Sequence, residues 1–350
     1  MPFLAVMLVG GLGIVIARLD RLGSENRYDS WLSRESAFLV NNVLFVAAAL
    51  AVFWGTIYPI VAEVLTGVRL SVGPPFFNSV FVPIGLAIIA LTGIGPLISW
   101  RKMRAGSLLQ LLRAPVVAGA ATVVALAITG VRSVGALLAF GLCTFTAAAL
   151  VGEFVRGGRL YRRGRAVSWP VAIARTIGRN RRRYGGYVVH LGVVLIAIGF
   201  AGSAFKSERH ALLSEGESMR VGSYELTYAE QTTSRDPEKQ SNVARVVATR
   251  GNTAVATLYP QRNFHFAQEQ PQSEVAIRST PVEDLYVVVT SFDADGDAAL
   301  RAFVNPLTWW IWVGAAVMVS GMGVLLSSPV PVRVATTERS TVRLPAVATR

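Results

Sequence analysis

The sequence predicts a polytopic α-helical membrane protein of about seven spans, with a small periplasmic β-rich domain inserted before the last span. Three observations lead to this prediction. The 350 residues are 52% hydrophobic and only 16% charged, whereas about 25% of residues are charged in an ordinary soluble domain. The apolar residues are gathered in runs long enough to cross a bilayer. One long polar stretch near the C-terminus interrupts these runs, and its short segments rich in Val, Tyr and Thr are typical of strands.

Seven apolar runs are the candidate transmembrane helices. They cover residues 3–17, 38–62, 80–99, 114–130, 133–155, 184–205 and 304–327. The first is shorter than the roughly 20 residues of a typical span, but it lacks the basic start and small-residue cleavage site of a signal peptide. We therefore predict a short first span at Phe3–Ala17. About six spans form a bundle over residues 1–205, the last helix occupies 304–327, and 328–350 is a basic cytoplasmic tail.

The basic residues predict the orientation. The segment 156–186 contains ten arginines and no acidic residue, and Ser99–Arg113 adds Arg101, Lys102, Arg104 and Arg113. Short loops with an excess of Lys and Arg lie on the cytoplasmic side. Seven spans then place the N-terminus outside and the C-terminus inside. The net charge of +13 resides in these loops, not on an aromatic-rich soluble face, so it does not indicate nucleic-acid binding.

Residues 206–303 are predicted to form the periplasmic β-rich domain. This segment holds 14 of the 21 acidic residues and ten basic ones, which is the opposite balance from the arginine-rich loops. Its strand-like runs are 223–228, 244–249, 254–259, 274–277 and 285–292. Runs of this length, separated by Gly, Pro, Asn or Asp, predict a small antiparallel β-sandwich or open barrel.

His190 is the main candidate functional residue because it lies inside the predicted span 184–205, where an ionisable side chain is costly. At 100° per residue, Gly185, Gly192 and Gly199 lie on the face opposite His190, and such a stripe lets another helix approach closely. The His190 face is predicted to carry small residues that leave space beside the imidazole, namely Gly186, Val193, Val194, Ala197 and Ala201. Two interpretations remain open: an axial ligand of haem iron, or a histidine hydrogen-bonded to the next helix.

The remaining histidines and the single cysteine are weaker candidates. His210 follows the sixth span and is either a second ligand or proton donor near the membrane surface, or a solvated loop residue. His265 has aromatic neighbours and is expected to pack within the β-rich domain. Because Cys143 is the only cysteine, the chain has no disulfide framework, no zinc-binding cysteine cluster and no CxxCH motif for covalent haem attachment.

Two proline-containing stretches are predicted to form rigid loops, the first at the end of a span and the second as a fixed extracellular turn. They are Trp54–Gly67, WGTIYPIVAEVLTG, and Ser71–Asn78, SVGPPFFN. Paired prolines and flanking glycines are typical of fixed turns. The two stretches form either a shaped surface for a partner or for haem, or a stiff connector between helices.

Several motifs follow one another along the chain: SRESAFLVNN at 33–42, WGTIYP at 54–59, SVGPPFFN at 71–78, RRYGGYVVHLG at 182–192, LYPQRNF and EDLYVVV in the β-rich segment, and NPLTWWIWVGA at 305–315. Together they resemble the C-terminal half of the CcmF, NrfE and CycK family, the haem lyase subunit of cytochrome c-type biogenesis. The resemblance covers nearly the whole chain. It implies a multi-pass protein of the bacterial inner membrane.

The resemblance also implies cofactors and partners. His190 matches one of two axial ligands of a transmembrane haem b, and the nearby Arg183 is a candidate contact for its propionates. The implied partners are the haem chaperone CcmE, a CcmH-type thiol-handling subunit, apocytochrome c and membrane lipid, with no nucleic acid. A second haem is implied as the molecule delivered for covalent attachment to apocytochrome c. No residue of this chain is assigned a catalytic role.

The sequence departs from the family in lacking the tryptophan-rich WWD segment, WGGxWxWD. The second ligand of haem b and the histidines that hold the delivered haem are expected to lie upstream of the matching part. We therefore expect a separately encoded C-terminal half or a truncated gene product, which is incomplete as a haem lyase without a WWD-bearing N-terminal half. The alternatives are a proton-coupled transporter or permease subunit with His190 as a proton relay, and a structural assembly subunit without haem.

Overall fold

The computed structural model describes residues 2–19, 33–98, 105–267 and 269–328, and it shows a bundle of apolar helices joined to a β-sandwich. The helices are α1 Pro2–Ala17, α2 Arg34–Thr66, α3 Pro74–Ile94, α4 Ala105–Ile128, α5 Val134–Arg162, α6 Trp169–Arg179, α7 Arg181–Ala201 and α8 Trp309–Leu326. Two 3₁₀ turns, Gly95–Leu97 and Gly202–Phe205, extend α3 and α7. The predicted tail at 328–350 and the basic residues Arg101, Lys102 and Arg104 lie outside the described residues, apart from Ser328.

Six of the described helices are long and apolar enough to cross a membrane, and the predicted class of polytopic helical membrane protein is confirmed. They are α2, α3, α4, α5, α7 and α8. The predicted first span does form a helix, but α1 has only 16 residues and falls short of the length that a bilayer core needs. The described chain therefore contains six helices of spanning length, plus one short apolar helix.

Both proline-containing stretches were predicted as rigid loops, but most of each is helical, and only Gly67 and Ser71–Gly73 lie outside the helices. The first remains helical to Thr66, with Pro59 inside α2, and ends only at Gly67, whose φ is 69° and whose N–H donates to Glu63 O at 2.9 Å. In the second stretch, Pro74 and Pro75 form the first turn of α3. Proline is favoured there because the first turn of a helix has no partner for its N–H groups.

The short helix α6 lies within the arginine-rich segment 156–186 and was not predicted from the sequence. Its Ala172 and Thr176 are buried, and its Trp169 ring lies against α5, where a Cβ on Gly158 would come within 3.1 Å of it. The segment between α5 and α7 therefore packs onto the bundle. The Arg162 guanidinium lies 4.9 Å from the centre of the Trp169 ring, an arrangement that favours cation–π attraction.

The glycine face of α7 packs against α8. This contact agrees with the close approach of another helix that the glycine stripe predicted. A Cβ on Gly192 would lie 2.6 Å from the Gly314 carbonyl oxygen, and a Cβ on Gly185 would lie 3.0 Å from that of Gly321. These are backbone atoms, so the two helices touch where side chains are absent. The rest of α7, including His190, packs against α5 and borders the spaces between α7, α2 and α3.

Between α7 and α8 the chain forms a ten-stranded antiparallel sandwich, which confirms a β-rich domain before the last helix. The strands are β1 Ser207–Leu213, β2 Ser218–Val221, β3 Tyr224–Arg235, β4 Lys239–Arg250, β5 Thr253–Leu258, β6 Gln261–His265, β7 Gln270–Glu274, β8 Ala276–Ser279, β9 Glu283–Phe292 and β10 Ala298–Pro306. One sheet has the order β1-β10-β9-β8, and the other has the order β2-β3-β4-β6-β7 with β5 paired to β4.

The sandwich core follows the two-residue period of the strands. Leu285, Val287 and Val289 of β9 are fully buried and face Tyr224, Leu226 and Tyr228 of β3 across the two sheets. The last span was predicted to begin at 304, but Val304 belongs to β10 and is buried in this core. The final helix begins only at Trp309.

Candidate functional site

His190 borders a cavity at the end of the bundle that is remote from the β-sandwich. The cavity measures about 200 Å³ and lies between α7, the first turns of α2, and the end of α3 with its 3₁₀ turn. Its lining is mainly apolar and consists of Ala37, Phe38, Asn41, Leu91, Thr92, Gly95, Pro96, Tyr187 and His190. The helices thus bring together motifs that are about 150 residues apart in the chain.

The His190 imidazole has an unusual hydrogen-bonding state. Its Nδ1 atom is buried and has no hydrogen-bond partner in the part of the chain that the structure describes. A buried polar atom without a partner is costly, and in a native protein it calls for an explanation such as a bound group. A histidine that only joined two helices would use its ring nitrogens for that purpose, so the missing hydrogen bond at Nδ1 argues against that interpretation of His190.

The small residues expected beside His190 have two different environments. Val193, Ala197 and Ala201 line a larger, mostly apolar cavity of about 770 Å³ between α3, α5 and α7, nearer the β-sandwich. Val194 is instead buried against Ile89 and Cys143, so it leaves no free space. The open face of α7 is therefore divided into two cavities, and His190 lines only the smaller one.

The Arg183 guanidinium, a predicted propionate contact, is held by two other groups. Its Nε donates to Tyr187 Oη at 2.7 Å and its Nη2 donates to Glu153 Oε2 at 2.5 Å. Glu153 is 7% exposed and also accepts a hydrogen bond from Arg156. Glu153 was not identified as a candidate functional residue from the sequence. The signal that could have identified it was an acid inside an apolar run with an arginine three residues later.

The structure brings the two proline-containing stretches to one cavity of about 570 Å³ at the sandwich end of α2 and α3. Its lining comes entirely from them: Trp54, Gly55, Tyr58, Ser71, Val72, Gly73, Pro75 and Phe76. The α2 and α3 helices touch here, because a Cβ on Gly55 would lie 2.9 Å from the rings of Phe76 and Phe77. The lining therefore combines helical residues with Ser71, Val72 and Gly73 of the loop between α2 and α3.

His210 lies on β1, so it is neither in a loop nor near His190. At 1.5 Å per helical residue, α7 and its 3₁₀ turn separate the two histidines by more than about 20 Å along the axis, which excludes His210 as a second ligand of the same iron. Its Nε2 lies 2.8 Å from Glu208 Oε1, which also accepts hydrogen bonds from Arg301 Nε at 2.9 Å and Nη2 at 2.6 Å. These contacts, with His210 first and Lys206 also contributing, lower the pKa of the Glu208 carboxyl to about 2.

This cluster predicts a specific titration behaviour. Because the folded-state pKa of Glu208 is lowered, its stabilising contacts are present above the ordinary pKa near 4.5 and are lost as the pH falls towards 2. We expect a ¹³C NMR titration of the glutamate-labelled chain in detergent to show the Glu208 carboxylate still ionised at pH 4. The Glu208→Gln variant assigns the resonance. His210→Ala should raise the pKa towards its ordinary value, and a Glu208 midpoint near 4.5 in the parent chain would contradict the prediction.

The other candidate residues are not placed together in a site. His265 is half-buried on β6, where it pairs in register with Lys239 and Gln270, in keeping with its expected packing in the β-rich domain. Cys143 is buried in α5. Over residues 2–19, 33–98, 105–267 and 269–328, no group of three or more His, Cys, Asp or Glu residues is arranged to hold a metal ion.

Comparison with known proteins gives matches over nearly the whole chain. A family profile described as the CcmF C-terminal beta-sandwich matches residues 204–306. The cytochrome c-type biogenesis protein CcmF of Pseudomonas aeruginosa is 30% identical over 329 residues, which are 94% of this chain and 48% of the relative. CycK of Rhizobium meliloti is 30% identical over 330 residues, 93% of this chain and 48% of the relative.

A solved structure has the same fold. The cytochrome c haem lyase CcmF superposes with a TM-score of 0.69 at 28% identity, over 85% of this chain and 46% of that one. The chain thus spans about half the length of the relatives that it matches. Both the helices and the sandwich are included in the superposed portion.

Proposed function

The chain belongs to the CcmF family of cytochrome c-type biogenesis proteins, and from this premise we propose that it is the C-terminal part of a haem lyase, holding a transmembrane haem b through His190. The observation that carries the proposal is the buried, unpartnered Nδ1 of His190 beside a cavity inside the bundle. Imidazole is a common axial ligand of haem iron. In this role the chain supports covalent haem attachment to apocytochrome c.

The residues around His190 fit part of a haem. The cavity of about 200 Å³ is smaller than the roughly 300–1,000 Å³ of sites that enclose a cofactor-sized ligand. Its apolar wall suits a macrocycle, and the half-buried imidazole supplies one ligand. The remaining surface of the group would have to be covered by another protein segment.

A second chain is the proposed source of that cover and of the other axial ligand. The α2 helix, which lines the cavity, has an apolar 18-residue stretch of which none is buried within this chain. A helix face of this kind contacts either lipid or another helix. We therefore propose an N-terminal CcmF half, or an equivalent WWD-bearing protein, as the partner that completes the site.

The proposed contribution of this chain is to hold and shield, not to catalyse bond formation. A bound haem b supplies one-electron redox chemistry, which suits reduction of the iron in the haem being delivered. The imidazole of His190 binds and orients the group, while Leu91 and Pro96 in the cavity wall exclude water. Arg183 stays a predicted propionate contact, although its guanidinium is engaged by Glu153 and Tyr187.

The β-sandwich is proposed to lie on the periplasmic side, with the N-terminus outside and the C-terminus inside. The arginine-rich segment between α5 and α7 lies at the opposite end of the bundle, which fits the rule that short basic loops stay cytoplasmic. On the periplasmic side the sandwich and the cavity formed by Trp54, Tyr58 and Phe76 would frame the surface that meets CcmE, a CcmH-type subunit and apocytochrome c. Membrane lipid would surround the helices.

The proposal is tested by co-expressing the chain with a WWD-bearing N-terminal half and recording the haem spectrum of the purified complex. We expect a b-type spectrum in the complex and none in this chain purified alone, because one axial ligand and part of the cavity wall are supplied by the partner. A purified complex without haem would contradict the proposal and favour a structural assembly subunit. Proton-coupled transport by the complex in vesicles, without haem, would favour the transporter alternative.

A further inference from the structure

A buried carboxylate lies between α5 and α7, at the end of the bundle that is remote from the β-sandwich. Glu153 of α5 is 7% exposed, and its two oxygens are used by different arginines: Oε1 by Arg156 of the same helix and Oε2 by Arg183 of α7. An acid within a membrane-spanning segment is costly and is retained where it serves structure or function. Here two cations compensate one anion, so the cluster carries one net positive charge.

The ion cluster is connected to the His190 cavity through one tyrosine. Arg183 Nε donates to Tyr187 Oη at 2.7 Å, and the guanidinium also lies 5.6 Å from the centre of the Tyr187 ring. Tyr187 is 5% exposed and lines the same cavity as His190. Arg183, Tyr187 and His190 are spaced by four and three residues, which places them on one face of α7.

We propose that Glu153, acting through Arg183 and Tyr187, is a positioning residue that sets the electrostatic environment, and hence the reduction potential, of an iron bound at His190. This inference rests on the proposed function and deepens it. The Glu153 carboxylate holds the Arg183 charge against Tyr187 at the cavity wall. The amide oxygen of a glutamine can still accept the Arg183 hydrogen bond, so Glu153→Gln removes the negative charge and leaves the guanidinium in place.

Charge arithmetic separates this role from a purely structural one. Removing the Glu153 charge leaves two arginines, and additional positive charge near a haem favours the reduced iron. Removing the Arg183 charge instead leaves a neutral pair of Glu153 and Arg156, which favours the oxidised iron. The two substitutions should therefore shift the potential in opposite directions, whereas loss of a helix-to-helix anchor alone predicts no such reversal.

The size of the shift is limited by solvent. The Arg156 and Arg183 side chains are 36% and 55% exposed, so water and lipid head groups screen part of their field. For a unit charge about 10 Å away at an intermediate effective dielectric constant, we expect the ratio of reduced to oxidised haem to change roughly tenfold at a fixed potential. For a one-electron couple this ratio corresponds to about 59 mV.

The test is a redox titration of the haem in the purified complex of this chain with its WWD-bearing partner. Glu153→Gln is expected to make the haem roughly tenfold easier to reduce, and Arg183→Gln roughly tenfold harder. Glu153→Asp, which keeps the charge, should restore a midpoint close to that of the parent. Haem content is measured separately by the pyridine haemochrome method, so that loss of haem and change of potential are not confused.

Thr146→Val is the matched control, because it removes a buried interhelical hydrogen bond without changing charge. Thr146 is fully buried in α5 and donates to Ile89 O of α3 at 2.8 Å. The midpoint of this variant should equal that of the parent.

Haem-loaded Glu153 and Arg183 variants with unchanged midpoints, or with shifts in the same direction, would overturn this inference alone. If Glu153→Gln does not assemble, the Arg183→Gln variant still tests the inference, because its haem is expected to be harder to reduce than that of the parent. A parent complex that binds no haem would overturn the proposed function and this inference with it.

Discussion

A His190→Ala variant of the complex with the WWD-bearing half is expected to lose the b-type haem spectrum completely. The reason is that His190 is the only histidine of this chain inside a helix of spanning length, and alanine has no atom that can ligate iron. A single remaining axial ligand and an incomplete cavity should not hold haem through purification. The measurement is the ratio of Soret to protein absorbance, with the amount of assembled complex determined by size-exclusion chromatography.

The matched control is His210→Ala, which removes a histidine from β1 on the other side of the bundle. Its side chain is 58% exposed and pairs with Glu208, so its loss should leave the b-type spectrum unchanged. A cavity-forming His190→Gly variant adds a second check, because exogenous imidazole should restore the spectrum if the nitrogen ligand is all that was lost. An unchanged b-type spectrum in the assembled His190→Ala complex would contradict the ligand assignment.

Much of the helical bundle and the existence of the sandwich could be predicted from the sequence, because both are encoded in local periodicity and composition. Apolar runs of spanning length reveal membrane helices directly. The two-residue alternation in a segment such as Leu285–Phe292 reveals strands in the same way. The start of the last helix was harder to predict, because an apolar residue such as Val304 suits both a sandwich core and a membrane helix. Only the packing of β10 assigns Val304 to the sandwich.

The errors at proline and arginine residues share a physical cause. Pro59, Pro74 and Pro75 were assigned to rigid loops, yet proline is well accommodated in a first turn, and in membrane helices neighbouring groups compensate for the lost hydrogen bond. In the arginine-rich segment, high charge suggested a loop. The buried side of α6 consists of small residues such as Ala172 and Thr176, which give little apolar signal.

The candidate site, too, could be predicted only in part from the sequence. His190 could be identified alone, since one ionisable residue in an apolar run is visible in the sequence. Its surroundings could not, because the cavity combines the start of α2, the end of α3 and the middle of α7. The pairing of Glu153 with Arg183 spans 30 residues and depends on how α5 packs against α7. Contacts of this kind are set by tertiary structure and leave no local pattern.

Replacing Gly192 with alanine is expected to weaken the contact between α7 and α8, on which the position of His190 depends. A Cβ at this residue would lie 2.6 Å from Gly314 O and 2.8 Å from Met318 N. Both are backbone atoms, so the helices must separate instead of a side chain turning aside. Overpacking of this kind typically costs about 1–3 kcal/mol. The measurement is the midpoint of thermal unfolding of the purified chain in detergent, together with haem retention in the complex.

Gly186→Ala is the matched control on the same helix. No atom lies within 4 Å of the Cβ that this substitution would add, and alanine is favoured over glycine in a helix by up to about 1 kcal/mol. The two variants should therefore move the unfolding midpoint in opposite directions although they make the same chemical change. Because Gly192 lies two residues after His190 and faces away from it, lost haem in Gly192→Ala would report displaced helices, not a missing ligand. An equal or greater loss of stability in Gly186→Ala would show that the glycine face does not set the packing of α7 on α8.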